Sequence, residues 1–136
     1  MARPVILIVE DSPDVGRAYE RRLQGCDCII ARSIAEARAS FHEHQWAIDV
    51  VIMDGEVPGA ETTEDLVRQM RGAGYNGPLI AASGQPSLNT KLQHAGCSHA
   101  IDGHKNAATI KIVTEILRSR GTLPPQSSGE KRRRKR

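Results

Sequence analysis

Four places in this chain set polar chemistry at or just past the end of an apolar run. Asp54 follows Val50-Val51-Ile52-Met53 and precedes Gly55-Glu56-Val57-Pro58-Gly59. Glu10 and Asp11 follow Val5-Ile6-Leu7-Ile8-Val9. Ser83 follows Pro78-Leu79-Ile80-Ala81-Ala82, and Lys105 lies a few residues past Ala100-Ile101. Carboxylates drawn to one spot repel, and each ionised one raises its neighbours' pKa. Such a cluster persists when a cation sits in it. Hard oxygen ligands favour Mg²⁺, which takes one or two carboxylates, a carbonyl and waters. A hydroxyl and an ammonium nearby suit the oxygens of a phosphoryl group. A carboxylate held beside Mg²⁺ can attack phosphorus and give an acyl phosphate, a transfer that needs mainly positioning and charge stabilisation. On this chemistry Asp54 is the reactive residue.

The elements that must bring these groups together are legible as punctuation. Apolar runs this short, bounded by Gly and Pro, predict strands buried on both faces. They fall at Val5–Val9, Cys28–Ala31, Ile48–Met53 and residues 78–83, with a poor fifth candidate at residues 98–102. Helices fill the gaps. Ser12 as N-cap with Pro13 at N1 starts one that runs to about Leu23, with Val15, Ala18, Tyr19 and Leu23 inward and Gly25 as its stop. Ser33-Ile34-Ala35-Glu36 fits a capping box for a helix reaching His44. Thr62 or Thr63 caps a helix carrying Leu66, Val67 and Met70, and Ser87 is expected to cap one that ends at Gly96. The last helix spans about Ala107 to Arg118, with Ile110, Val113, Ile116 and Leu117 on one stripe. Strand and helix alternate five times, which argues for a parallel sheet covered by helices on both faces. In such a sheet the carboxyl ends of the strands are where ligands bind.

Composition narrows the function. The chain of 136 residues is 39% hydrophobic and only 3% aromatic, so its core is aliphatic and it has little with which to stack nucleic-acid bases. Its formal net charge of +3 misleads. Lys131 to Arg136 supply six positive charges, and without them residues 1–130 carry −3. Three cysteines, Cys26, Cys28 and Cys97, show no metal-type spacing and predict reduced thiols in a cytosolic protein. No apolar run approaches the length of a membrane span. From Gly121 the composition turns to Pro, Ser and Gly and then to the basic run, so residues 1–120 are expected as one domain and 121–136 as a disordered tail. The five histidines are scattered and read as surface or packing residues. Trp46 is expected to pack before the third strand.

Taken together, Ile8-Val9-Glu10-Asp11-Ser12, Ile52-Met53-Asp54 with Pro58-Gly59, Ala81-Ala82-Ser83 and Lys105 resemble a response regulator receiver domain of the stand-alone chemotaxis-regulator kind, over roughly residues 3–120. The offsets fit that pattern: Asp54 to Ser83 is 29 residues and Ser83 to Lys105 is 22. The resemblance implies a flavodoxin-like, doubly wound (βα)5 parallel sheet with strand order 2-1-3-4-5. It implies that Asp54 is the phosphoacceptor, that Glu10, Asp11, Asp54 and the main-chain carbonyl of Glu56 hold Mg²⁺, and that Ser83 and Lys105 meet the phosphate. It further implies a sensor histidine kinase or phosphotransfer protein as donor, a downstream protein target, slow self-dephosphorylation at most, and a cytoplasmic setting. The chain departs from the family in three places. Asn106 stands where a proline usually follows the lysine, and counting from Gly96 puts the lysine position on Gly103. The fifth strand carries Ala100 or Asp102 where an aromatic is usual. Ala60-Glu61-Thr62 replaces a common Asp-Gly.

Three other readings stand beside this one. The fifth-strand departures are compatible with a pseudo-receiver, a phosphorylation-independent docking module of the same fold. Asp54-Gly55-Glu56 superficially matches the acid-x-acid motif of Asp-nucleophile phosphatases, though the chain lacks room for a cap. Residues 131–136 suit nucleic acid or an anionic membrane surface as well as they suit a solvated tail.

Overall fold

The computed structural model describes residues 3–54, 57, 59, 61–101 and 106–121. Five parallel strands form one sheet in the order β2-β1-β3-β4-β5, the expected doubly wound topology. The elements alternate along the chain: β1 Val5–Val9, α1 Pro13–Arg22, β2 Asp27–Ala31, α2 Ile34–His44, β3 Ile48–Met53, α3 Thr63–Gly72, β4 Leu79–Ala81, α4 Pro86–Ala95, β5 His99–Ala100 and α5 Asn106–Ser119.

The strands are continuous apolar runs because both faces of the sheet are covered. Side chains alternate across a strand, so each run divides between two cores. Leu7, Val9, Val51, Met53, Leu79 and Ala81 face α2, α3 and α4, where they meet Ile34, Phe41, Leu66, Val67, Met70 and Leu92. Ile6, Ile8, Val50, Ile52 and Ile80 face α1 and α5, where they meet Tyr19, Leu23, Val113 and Leu117. Burying a side chain of this size contributes roughly 1.5–3 kcal/mol, so these rows dominate the stability of the sheet.

Most of the caps are those the sequence predicts. Ser12 Oγ accepts the Val15 N–H and Ser33 Oγ accepts the Glu36 N–H, while the Glu36 carboxylate accepts the N–H of Arg32, one residue before the cap, rather than that of Ser33. Thr62, rather than Thr63, caps α3 by accepting the Asp65 N–H. Ser87 does not cap α4. That helix starts at Pro86, two residues earlier than a Ser87 cap would place it, with Gln85 as an N-cap that makes no side-chain cap bond. Proline's fixed φ and missing N–H suit the first helical position, and this outweighs the capping preference of serine. Trp46 also departs from expectation: it is 87% exposed at the turn between α2 and β3. The fully buried positions of α5 are Thr109, Val113 and Leu117, with Ile110 and Ile116 half-buried at the margin of the stripe.

The three cysteines are free thiols. Burial pushes Cys28 up to about 11 and Cys97 up to about 12, so both hold their protons at neutral pH. No helix among the described residues is long and apolar enough to cross a membrane.

Candidate functional site

The backbone ladder aligns the strand ends. Past β1, β3, β4 and β5 one more hydrogen bond is made: Glu10 N–H to Ala31 O, Asp54 N–H to Val9 O, Ala82 N–H to Met53 O and Ile101 N–H to Ala81 O, all at 2.9–3.0 Å. Glu10, Asp54, Ala82 and Ile101 therefore form a row along the carboxyl edge of the sheet. Asp11 and Ser83 each lie one residue further on. Main-chain bonds thus place the chemistry, and the side chains inherit that position.

Glu10, Asp11 and Asp54 each present a carboxylate oxygen such that all three lie within 4.8 Å of one another. Their surroundings differ. Glu10 is buried at 6% exposure, Asp54 is half-buried and Asp11 is exposed. Glu10 accepts the Ser12 N–H at 3.0 Å, which ties the acid pair to the N-terminus of α1. The Glu10 carboxyl is pushed up to about 8, first by burial, then by its hydrogen bond to Asp54 and the charge there, and by Asp11; the bond from Ser12 works the other way. Acids this close, one of them buried with its carboxyl pushed up by its neighbours, fit a hard divalent cation coordinated by oxygen.

The ground below the acids is also polar. Tyr19 of α1 and Thr109 of α5 are buried and hydrogen-bonded to each other. The Tyr19 hydroxyl is pushed up mainly by burial and further by the charges of Glu10 and Asp54, while Thr109 opposes the shift. Helical periodicity assigned Tyr19 to the core. It gave no hint of Thr109, a polar residue between apolar neighbours.

Ser83 is buried at 1% exposure, and its Oγ accepts the Gln85 N–H at 3.0 Å. Its backbone N–H and carbonyl are both bonded to the Asn89 carboxamide, a residue that nothing in the sequence singles out. Lys105 and Glu56 lie outside the described residues, so the expected ammonium and main-chain carbonyl have no described position. A separate hollow of about 220 Å³ lies at the opposite, amino edge of the sheet, among Trp46, Ile48, Tyr75, Gly77 and Arg120. No carboxylate lines it.

No protein-family model matches this sequence, and no curated protein matches it either. Solved structures do. A response regulator receiver domain protein from Clostridium thermocellum superposes with a TM-score of 0.73 at 19% identity, covering 89% of this chain and 99% of that one. The Vibrio cholerae chemotaxis protein CheY4 superposes at 0.71 with 21% identity, over 85% of this chain and 100% of that one. The BeF3-activated N-terminal receiver domain of Klebsiella pneumoniae RstA superposes at 0.70 with 23% identity, over 84% and 98%. The chain has the fold of a response regulator receiver domain.

Proposed function

We propose that this protein is a phosphorelay component whose Asp54 accepts a phosphoryl group. The observation that carries the reading is the placement of the Asp54 carboxylate at the end of the central strand, within 4.8 Å of the acids from the end of the neighbouring strand. An Asp54 oxygen attacks phosphorus, the phosphorus–nitrogen bond of a phosphohistidine on a sensor kinase or phosphotransfer protein breaks, and the released imidazole nitrogen takes a proton. Glu10 and Asp11, with Asp54 and the Glu56 carbonyl, would hold Mg²⁺. When bound, that ion supplies positive charge to the phosphoryl oxygens. Ser83 offers its hydroxyl to one phosphoryl oxygen, and Lys105 supplies the balancing ammonium.

The protein turns over no substrate of its own beyond slow loss of its phosphate. Its output is binding of a downstream protein through the fourth and fifth strand-helix units, in the cytoplasm. The test is incubation of the purified protein with acetyl phosphate and Mg²⁺, followed by intact-mass analysis. Wild type is expected to gain one phosphoryl group, and Asp54→Asn none. A wild type that stays unmodified beside a competent receiver control would point instead to a phosphorylation-independent docking module.

A further inference from the structure

Asn89 stands in the first turn of α4 with its side chain buried at 3% exposure. Its Oδ1 accepts the Ser83 N–H at 2.9 Å, and its Nδ2 donates to the Ser83 carbonyl at 3.0 Å and to the Ile101 carbonyl at 3.3 Å. One carboxamide thus binds main chain at two strand ends while riding on a helix. The partners fix its orientation: turned over, Nδ2 would face an N–H and Oδ1 would face two carbonyls. A buried amide is tolerated only when its groups are paired, and here they are paired to the two segments that flank α4.

Helix formation asks for none of this. Asn is a weak helix former because its side chain competes for backbone groups. The bonds run instead to residues 6 and 12 positions away. The Ser83 hydroxyl is meanwhile held by the Gln85 N–H, so turn and helix share control of this residue. The described fifth strand is two residues long, His99 and Ala100, with no Phe or Tyr side chain to link Ser83 to β5. The Asn89 carboxamide makes that link.

We propose that Asn89 is a positioning residue: it sets Ser83 in place on the edge that carries Asp54 and transmits displacement of Ser83 to α4 and the end of β5. This rests on reading Ser83 as the hydroxyl that meets the phosphoryl group. If Ser83 shifts toward a phosphoryl oxygen, both of its backbone groups move against Asn89. The carboxamide then must follow, drawing on α4 and on the Ile101 carbonyl, or break its bonds.

The test is nuclear magnetic resonance of the full chain with Mg²⁺ and beryllofluoride as a phosphoryl mimic. In wild type the amide signals of Asp54, Ser83, α4 and Ile101 are expected to shift, and the Asn89 side-chain amide pair to shift along the same saturation curve as Ser83. In Asn89→Ala the Asp54 and Ser83 shifts remain and those of α4 and Ile101 collapse. The same variant is expected to take phosphate from acetyl phosphate on the order of tenfold more slowly while Mg²⁺ affinity is unchanged. A purely structural role would not split those two quantities. Wild-type Asn89 side-chain signals that stay still while Ser83 moves would overturn the proposal without recourse to any variant. So would full-sized α4 shifts in Asn89→Ala. A wild type with no response at Asp54 would remove the phosphoacceptor reading itself, a distinguishable failure.

Discussion

A carboxyl group buried beside two others holds charge only at a cost, and Glu10 shows which way that cost runs. Its ordinary value of 4.5 rises to about 8 in the folded chain. The folded state therefore binds a proton more tightly than the unfolded chain between those values. Folding stability from this group is fully present below about 4.5 and is lost as pH rises toward about 8. Thermal unfolding in chelator is expected to show a midpoint that declines across this window. Saturating Mg²⁺, which favours the ionised carboxylate, should abolish or reverse the decline, and Glu10→Gln should flatten it without metal. A chelated midpoint that rises over the same range would contradict the assignment. Trp46 marks the other extreme. At 87% exposure it has little to lose, so Trp46→Ala should change stability by no more than about 0.5 kcal/mol in urea unfolding. A cost above about 2 kcal/mol would show that it is packed after all. Sequence could not separate these cases. A tryptophan beside a strand reads as core material, and only the turn geometry between α2 and β3 turns it outward.

At the scale of elements, one side chain holds the edge of α3 to its neighbours. Arg71 donates to the carbonyls of Gly96, Tyr75 and Gly77 at 2.9, 2.9 and 2.7 Å, and its guanidinium lies over the Tyr75 ring. Gly96 must be small there. Its φ is +138°, and a Cβ would fall 2.9 Å from Arg71 Cγ. Arg71→Ala leaves three half-buried carbonyls short of a donor and should cost about 2–4 kcal/mol in chemical unfolding. Arg71→Lys should recover little, because a point ammonium cannot span three acceptors held by a planar fork. Near-complete rescue by lysine would show that charge alone matters. This clamp was invisible in the sequence, because its three acceptors are main-chain carbonyls. The strands and the caps of α1 and α2 were legible because their signals are local: an apolar run, or Ser with Pro or Glu at fixed offsets. The start of α4 was misread because two local signals competed, Ser87 as cap and Pro86 as first residue, and the proline's backbone constraint won. Asn89 and Thr109 were missed because their partners are distant in sequence and polar residues in helices usually face water.

At the scale of the whole molecule, the parallel sheet turns one-dimensional order into a site. Glu10 and Asp54 are 44 residues apart, and only the pairing of β1 with β3 makes them neighbours. The acids were readable because each ends an apolar run, and parallel topology aligns such ends. Lys105 and Glu56 lie outside the described residues, and the sequence signals around them are thin: Asn106 follows the lysine, and Gly55 and Pro58 flank Glu56. Of all the carboxylates on this edge, Asp54 is the one proposed to become the acyl phosphate. The most direct measurement is borohydride reduction after treatment with acetyl phosphate and Mg²⁺, followed by peptide sequencing by mass spectrometry. The acyl phosphate at Asp54 should be converted to homoserine at that position alone, and only when Mg²⁺ was present. Homoserine absent from position 54, or found instead at Asp11, would contradict the account.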